Sequence, residues 1–358
     1  MADETYAALA QALDRLPNGF PSTASRREIP LLRKIFSEEE ARIASLMCGT
    51  GETFEAIAAR AGLAAVEARR ALMDMAKRGL VWVSKENKKL LFRLAPFVVG
   101  IYEAQLATMD RELALLFEEY TKEGGTAGLM TLQPALHRVV PASGSVPIEW
   151  VLPYDDVRAM LLGAASFSVR DCICRFEQDL LGSRACDAPL RNCLSFSSFA
   201  RHERPDDISR ERALAILDEA EDAGLVHTVS NVVEGLSYLC NCCGCCCAIL
   251  RGITEHGIAG SVARANYAAL IDAERCKGCG VCIARCQVGA IEERDGISVV
   301  IAERCIGCGL CATGCSSESV ALRRLPDAEV VHPPVNFAAW EKERLSNRRT
   351  EGPMPRIT

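Results

Sequence analysis

Eight cysteines between residues 276 and 315 have a type and spacing suited to metal chemistry. They form two copies of C-x2-C-x2-C-x3-C, at Cys276, Cys279, Cys282 and Cys286 and again at Cys305, Cys308, Cys311 and Cys315. Three thiolates two residues apart can wrap one face of a cubane, while a more distant fourth closes the neighbouring one. Soft thiolates in this number favour iron–sulfur clusters, with zinc as the competing metal. Because zinc spacing rarely repeats in this way, the segment predicts cluster binding.

This segment resembles a bacterial-type ferredoxin with two [4Fe-4S] clusters. The resemblance implies crossed ligation, with one cluster on Cys276, Cys279, Cys282 and Cys315 and the other on Cys305, Cys308, Cys311 and Cys286. The family usually has proline after each fourth cysteine, where this chain has Gln287 and Ser316. We expect that change to loosen the local turn without removing a ligand.

Ten further cysteines precede this segment and predict additional metal binding: Cys172, Cys174, Cys186, Cys193, Cys240, Cys242, Cys243, Cys245, Cys246 and Cys247. The first four could serve one centre. The six in the CNCCGCCC run cannot all face one metal, because consecutive side chains point in different directions. One or two further iron–sulfur clusters are predicted, one of which could keep an open position. A structural zinc site with spare thiols is the alternative.

Several single residues near these cysteines have two possible roles. Arg170 and Arg175 bracket the C-x-C and either offset cluster charge or lie in solvent. His202 and His227 are candidate outer hydrogen-bond donors or proton carriers. Away from them, Cys48 is expected to be a buried core thiol.

The remaining chain predicts an α+β protein in which these cysteines are held by separate domains. We expect a winged-helix-like domain at 1–95, a helix and Pro-rich linker at 96–153, a cysteine-rich cluster-binding region at 154–266, a ferredoxin-like domain at 267–325 and a polar tail at 326–358. The tail is expected to be disordered or to wrap a partner. His137 and Arg138 fall in the linker, where a surface or hinge role is expected.

Residues 29–94 have the order helix, helix, helix and hairpin, which resembles a winged helix. The resemblance would place Arg69, Arg70, Lys77, Lys85, Lys88 and Lys89 near DNA phosphates. However, the Ala-rich recognition helix offers few base-reading side chains, and Glu67 and Asp74 oppose phosphate. We therefore favour a structural or protein-docking role over DNA binding.

Composition limits the possible functions. The formal net charge of −6 argues against nucleic acid as the main partner of the whole chain. No stretch approaches membrane-spanning length, and no signal peptide is evident. Nineteen cysteines without an export signal indicate metal ligation in the cytoplasm, where thiols stay reduced. No nucleotide or flavin motif is found.

Taken whole, the chain resembles bacterial 4Fe-4S binding proteins that join a winged helix, a CxCR segment, a CNCCxCCC segment and a two-cluster ferredoxin. The match rests on CICR (172–175), DAPLRNCLSFSSFAR (187–201), AGLVH (223–227) and CNCCGCCC (240–247). We expect electron transfer through two [4Fe-4S] clusters and an additional cysteine-ligated centre, to or from a partner oxidoreductase. The alternatives are a reductase with catalysis at the extra centre and a redox-responsive winged-helix regulator, so enzymatic activity stays open.

Overall fold

A computed structural model describes residues 2–152, 154–200 and 204–350. It contains two compact units. Among the described residues, one comprises the chain up to Leu132, Asp179–Gly182 and the chain from Arg344 to Thr350, and the other comprises the described parts of Gln133–Gln178 and Ser183–Glu343. All the cysteines predicted to bind metal belong to the second unit.

The first unit begins with five helices followed by an antiparallel hairpin: α1 (Ala2–Asp14), α2 (Glu28–Ile35), α3 (Glu38–Ser45), α4 (Phe54–Ala61), α5 (Ala65–Lys77), β1 (Val81–Glu86) and β2 (Lys89–Leu94). Both ends of α4 follow from local sequence. The Thr53 side chain accepts a hydrogen bond from the Ala56 amide, and Gly62 ends the helix in the left-handed conformation. The helices pack through fully buried side chains such as Leu9, Leu13 and Ile43.

The segment after Pro96 is not the single long helix that its apolar spacing predicts. An irregular turn at Phe97–Ile101, the short α6 (Tyr102–Ala104) and a 3-10 turn at Gln105–Ala107 precede α7 (Arg111–Lys122) and α8 (Gly125–Thr131). The break has a local cause, because the Asp110 carboxylate accepts a hydrogen bond from the Leu113 amide at 2.8 Å and starts a new helix.

A six-stranded antiparallel sheet forms the centre of the second unit, in the order β3-β7-β8-β5-β4-β6. Its strands are β3 (His137–Val140), β4 (Ser166–Asp171), β5 (Arg191–Ser197), β6 (Asp207–Ile208), β7 (Val226–Ser230) and β8 (Tyr238–Cys242). Four helices accompany it: α9 (Val157–Leu162), α10 (Ile173–Leu181), α11 (Arg210–Asp222) and α12 (Ala248–Thr254). Apolar side chains of α9, α11 and the strands bury a common core that includes Leu161, Leu217 and Leu194.

The Pro-rich part of the linker predicted at 96–153, residues 131–153, was expected to be extended and outside the core, and for β3 this is wrong. All four residues of β3 are buried, and the strand pairs with β7. Its prolines flank the strand instead of interrupting it, so the ladder stays intact. His137 and Arg138 are therefore core residues. The Arg138 guanidinium lies 3.1 Å from the Asp155 carboxylate, and both side chains are 3% exposed.

The C-terminal cysteine segment is built from two similar halves. It contains β9 (Tyr267–Ile271), α13 (Val281–Ala284), β10 (Ile291–Arg294), β11 (Ile297–Val300), α14 (Leu310–Thr313) and β12 (Val320–Arg324). The outer strands β9 and β12 pair antiparallel, as do β10 and β11. Each half thus presents a cysteine loop followed by a one-turn helix.

The polar tail is also ordered where the structure describes it, contrary to the prediction. Helix α15 spans Phe337–Thr350. In the second unit, the Trp340 indole donates to the Ala135 carbonyl at 3.0 Å. In the first unit, the fully buried Arg344 donates to backbone carbonyls of Pro17, Leu129 and Leu132 at 2.6–2.8 Å. The final residues, PMPRIT, lie outside the described part of the chain.

Candidate metal centres

Glycines shape the two cysteine loops of the C-terminal segment. Gly278 and Gly307 occupy equivalent positions and have positive φ angles of 61° and 71°, which glycine adopts without strain. A Cβ at Gly278 would lie 2.2 Å from the Gly296 carbonyl oxygen, and one at Gly307 would lie 2.4 Å from that of Tyr267. Each loop therefore needs glycine between its first two cysteines for both conformation and space.

The structure places Cys286 with the cysteines of the second half. Burial raises the pKa of the Cys308 thiol to about 12, and nearby Cys286 and Cys305 add to the rise. Burial likewise raises the pKa of Cys311, which also lies near Cys286, Cys305 and Cys308. These four cysteines are one of the two crossed sets that the ferredoxin resemblance implies.

The other set is more exposed to solvent. Backbone amides of Ser298 and Gly278 lower the pKa of Cys276, against the opposing effect of nearby Cys315. Cys279 is exposed, and the buried Cys282 thiol lies 3.2 Å from the Ser298 hydroxyl. Backbone N–H groups aimed at sulfur stabilise thiolate and so suit cluster ligands.

Six of the ten further thiols form a closed ring of hydrogen-bonding contacts, here called the thiol ring. Successive contacts run through Cys172, Cys174, Cys247, Cys242, Cys240, Cys193 and back to Cys172. These residues come from four places in the sheet and its connections, which explains why sequence spacing does not group them.

Strand alternation contributes three members of the thiol ring. Cys240 and Cys242 lie two residues apart on β8 and share one face of the sheet. Cys193 lies on the neighbouring strand β5. Cys172 and Cys174 stand at the junction of β4 and α10, and Cys247 is the N-cap of α12.

The other four thiols form a separate compact set, here called the tetrathiol site. The sulfur atoms of Cys186, Cys243, Cys245 and Cys246 all lie within 4.8 Å of one another. Cys186 comes from the connection between α10 and β5, and the other three come from the connection between β8 and α12. The grouping of Cys186 with Cys172, Cys174 and Cys193 suggested by sequence order is therefore not the arrangement in the structure.

A buried arginine lies beside both thiol groups. Arg175 has no exposed surface, and it donates to the Asn192 side chain at 2.8 Å and the Asn241 carbonyl at 2.6 Å. Burial alone would lower its pKa, but the neighbouring thiolates of Cys172, Cys243 and Cys242 outweigh burial and raise it. Arg175 thus supplies a fixed positive charge. Arg170, by contrast, is exposed.

A polar network on the opposite face of β8 contains His227, which the sequence suggested as an outer hydrogen-bond donor or proton carrier, together with two partners that the sequence did not indicate. The buried His227 ring lies 2.7 Å from the Asn241 side-chain oxygen and 3.2 Å from a carboxylate oxygen of Glu221. The Asn241 amide donates to the Asn192 carbonyl at 2.7 Å. The network joins β7 to β8, and in the described part of the chain the His227 ring nitrogens pair with Asn241 and Glu221 and not with a thiol. The alternation of asparagine with cysteine in CNCC is the sequence signal for Asn241. His202 lies outside the described residues.

Gln287 and Gly244 join the C-terminal cysteine segment to the tetrathiol site. The Gly244 amide donates to the Gln287 side-chain oxygen at 2.8 Å, and the Gln287 amide donates to the Gly224 carbonyl at 2.8 Å. Gln287, which stands in place of the usual proline, therefore stabilises the contact between these two segments through hydrogen bonds and does not loosen it. Arg285 adds bonds to the Glu221 and Asp222 carbonyls at 2.7 and 3.0 Å.

A cavity of about 700 Å³ in the second unit reaches Cys305. Arg138, Asp155, Tyr154 and His332 also line it, and the Tyr154 hydroxyl lies 2.8 Å from the His332 ring. Burial raises the pKa of Asp155 to about 6, although Arg138 and a hydrogen bond from Tyr267 oppose this.

Two predictions concern the first unit. Cys48 is exposed, not buried, because α3 ends at Ser45 and the thiol instead accepts a 3.5 Å hydrogen bond from Arg60. Of the six candidate phosphate-binding cations, Arg69, Arg70, Lys88 and Lys89 line an open groove of about 960 Å³. Lys85 is exposed, and Lys77 pairs with Asp74 at 2.8 Å.

A family model described as a 4Fe-4S dicluster domain matches residues 268–316. The iron–sulfur prediction for this segment is thereby confirmed. Neither the curated proteins nor the solved structures contain a match to the chain. Within the described residues, no helix has both the length and the apolar content needed to cross a membrane.

Proposed function

We propose that this protein transfers electrons between a partner oxidoreductase and an additional cysteine-ligated centre, through two [4Fe-4S] clusters in residues 267–325. The observation that carries the proposal is the contact between Gln287 and Gly244. Gln287 follows Cys286, a ligand of the second cluster under crossed ligation. Gly244 lies two residues from Cys242 of the thiol ring, so a short covalent and hydrogen-bonded path joins the two metal-binding regions.

Each set of four ferredoxin cysteines would hold one cluster along this path. When bound, each [4Fe-4S] cluster can accept and release one electron. Cys276, Cys279, Cys282 and Cys315 would hold the cluster nearer the surface, where exposed Cys279 and the 41% exposed Val281 offer a docking edge for a partner protein. Cys286, Cys305, Cys308 and Cys311 would hold the buried cluster beside Gln287.

The thiol ring would hold the redox-active part of the extra centre. Six thiolates concentrate negative charge in a buried place, and such charge is costly without compensation. Arg175 supplies part of that compensation, which favours the reduced cluster and raises its potential. The charge of this fully buried arginine is balanced by thiolates, and thiols that bound no metal would not supply them.

Anaerobic reductive titration of the full-length protein tests the proposal. Two ferredoxin clusters take up two electrons, so we expect wild-type protein to take up more than two per chain. Cys240→Ser should remove the excess and keep the first two, and Cys48→Ser serves as the control. An uptake of two electrons in all three proteins would contradict the relay.

The cavity beside Cys305 favours a second candidate function, a reductase. It would place a small substrate within reach of the buried cluster, with the Tyr154–His332 pair as the proton source. Substrate turnover by the purified chain without an added partner, abolished by Tyr154→Phe, would favour this function over a relay.

The remaining features support a cytoplasmic protein with a docking module. No disulfide joins cysteines in the described part of the chain, and cysteine-rich metal sites suit a compartment that keeps thiols reduced. Helices α3, α4 and α5 and the β1–β2 hairpin follow the helix–helix–helix–hairpin order of a winged helix, and the groove lined by Arg69 and Lys88 offers a basic face. We assign this face to protein docking. DNA retention by the full-length chain at low salt, lost in Arg69→Ala, would instead indicate a redox-responsive regulator.

A further inference from the structure

The spacing of the sulfur atoms distinguishes the tetrathiol site from a cluster site. The Cys186 and Cys243 sulfurs are 3.7 Å apart, and those of Cys245 and Cys246 are 3.5 Å apart. A zinc ion bound tetrahedrally with Zn–S bonds of about 2.3 Å places its sulfur atoms about 3.8 Å apart. The four thiols therefore already have the separation that a single tetrahedral ion requires.

A four-iron cubane needs a different arrangement. It places each thiolate on a separate iron at the outside of the cluster, so its four ligand sulfurs cannot all lie within contact of one another. Thiols of the ring touch in pairs, but among the described residues the ring contains no three thiols that all lie within 4.8 Å of one another. The eight cysteines of the C-terminal segment behave in that way, since in the described part of the chain they form no comparably compact set. Cys186, Cys243, Cys245 and Cys246 are too close together for a cubane.

The surroundings also suit a closed structural site. The thiols pack against the buried residues Ala188, Ala220 and Leu225. Four thiolates and one divalent ion leave a charge of −2, and Arg175 lies close enough to Cys243 to offset part of it. Four protein ligands leave no open position for substrate, which is the pattern of structural zinc.

We propose that the tetrathiol site binds one zinc ion, separate from the iron–sulfur centre of the thiol ring. The same thiolates could bind ferrous iron, but zinc binds such a site more tightly. The ion would tie the connection between β8 and α12 to the connection between α10 and β5. It would thereby fix Gly244, which lies between two of its ligands, against Gln287.

A zinc ion carries no electrons, so its presence can be measured independently of the relay. Full-length protein, purified anaerobically from cells supplied with iron and zinc, is analysed for both metals and by zinc X-ray absorption. We expect about one zinc per chain, with four sulfur neighbours at about 2.3 Å. Cys186→Ser should lose that zinc and keep its iron, and Cys48→Ser should keep both.

Three results would overturn the proposal: zinc absent from wild-type protein, mononuclear iron in its place, or Cys186→Ser losing iron while keeping zinc. If Cys186→Ser does not fold, cobalt substitution of the wild-type protein decides the matter. Cobalt in the tetrathiol site gives the intense absorption of tetrahedral thiolate coordination. Octahedral cobalt, or none bound, would contradict the assignment.

Discussion

Gly244 and Gln287 lie so close that no side chain fits between them. A Cβ at Gly244 would lie 1.9 Å from the Gln287 carbonyl oxygen, closer than real Cβ atoms approach. The same glycine donates its amide to the Gln287 side chain. The contact joins the CNCCGCCC run to the residue after Cys286, and hence the two cysteine-rich regions.

The first prediction concerns this contact. Gly244→Ala must displace Gln287, and we expect a loss of about 1–3 kcal/mol in unfolding free energy from overpacking. Electron passage from the ferredoxin clusters to the extra centre should slow as well, measured by rapid-freeze EPR after mixing with reductant. Gly163→Ala is the matched control, because an added Cβ there meets only ordinary contacts. Equal rates in both variants would argue against a path through Gly244.

The second prediction concerns the buried cation. Arg175→Met leaves buried thiolates without compensation and the Asn192 side-chain oxygen without its donor. We expect a loss of about 3 kcal/mol in stability and a lower midpoint potential for the extra centre. Arg175→Lys should recover part of that potential, since it keeps the charge. Exposed Arg170→Met is the control, and an equal potential shift in that variant would refute a specific role for Arg175.

The third prediction concerns pH and Asp155. The native pKa of about 6 lies above the ordinary 3.8, so the folded protein retains a proton that the unfolded chain has already released. This stabilisation is complete below about pH 4 and is lost as pH rises through 6. Between pH 5 and 7, the contribution should fall by about 1 kcal/mol.

Denaturant unfolding at pH 5, 6 and 7 measures this effect. Asp155→Asn should be less stable above pH 6, because Arg138 there loses its charged buried partner, and should lack this part of the pH dependence. Exposed Asp206→Asn should retain the wild-type dependence. An unchanged pH dependence in Asp155→Asn would show that another group is responsible.

The fourth prediction concerns the C-terminal helix. Arg344→Met leaves the Pro17, Leu129 and Leu132 carbonyls without their donor. We expect a loss of about 3 kcal/mol in unfolding free energy. Exposed Lys342→Met, on the same helix, should change stability by no more than about 0.5 kcal/mol. Equal stability of the two variants would mean that the Arg344 contacts contribute little.

Local features of the fold and of the site were predictable from sequence, and long-range ones were not. The cysteine repeat at 276–315 uses ligands and glycines within one short segment, so its spacing alone indicated the domain that the family model matches. The N-cap at Thr53 is likewise a local pattern. The ten other thiols divide into the thiol ring and the tetrathiol site, and this division depends on long-range contacts. One of them is the pairing of β5 with β8, which brings Cys193 to Cys240 across the sheet.

Buried polar residues account for the main errors. The prolines of residues 131–153 suggested a linker, and the polar composition of residues 326–358 suggested a tail. Arg138 and Arg344, which lie in these segments, are of a residue type that is mostly exposed. Each is buried because distant groups satisfy it, namely Asp155 for Arg138 and backbone carbonyls for Arg344. Such partners leave no periodic signal in the sequence, so the strand β3 and the helix α15 were missed.

Magnetic coupling between the ferredoxin clusters and the extra centre tests the account most directly. EPR spectra of the fully reduced full-length protein are compared with those of Cys240→Ser, with Cys48→Ser as control. We predict that wild-type protein shows a further interaction beyond that of the two ferredoxin clusters, and that Cys240→Ser alone loses it. Identical spectra for all three proteins, typical of an isolated two-cluster ferredoxin, would contradict an extra redox centre in the thiol ring.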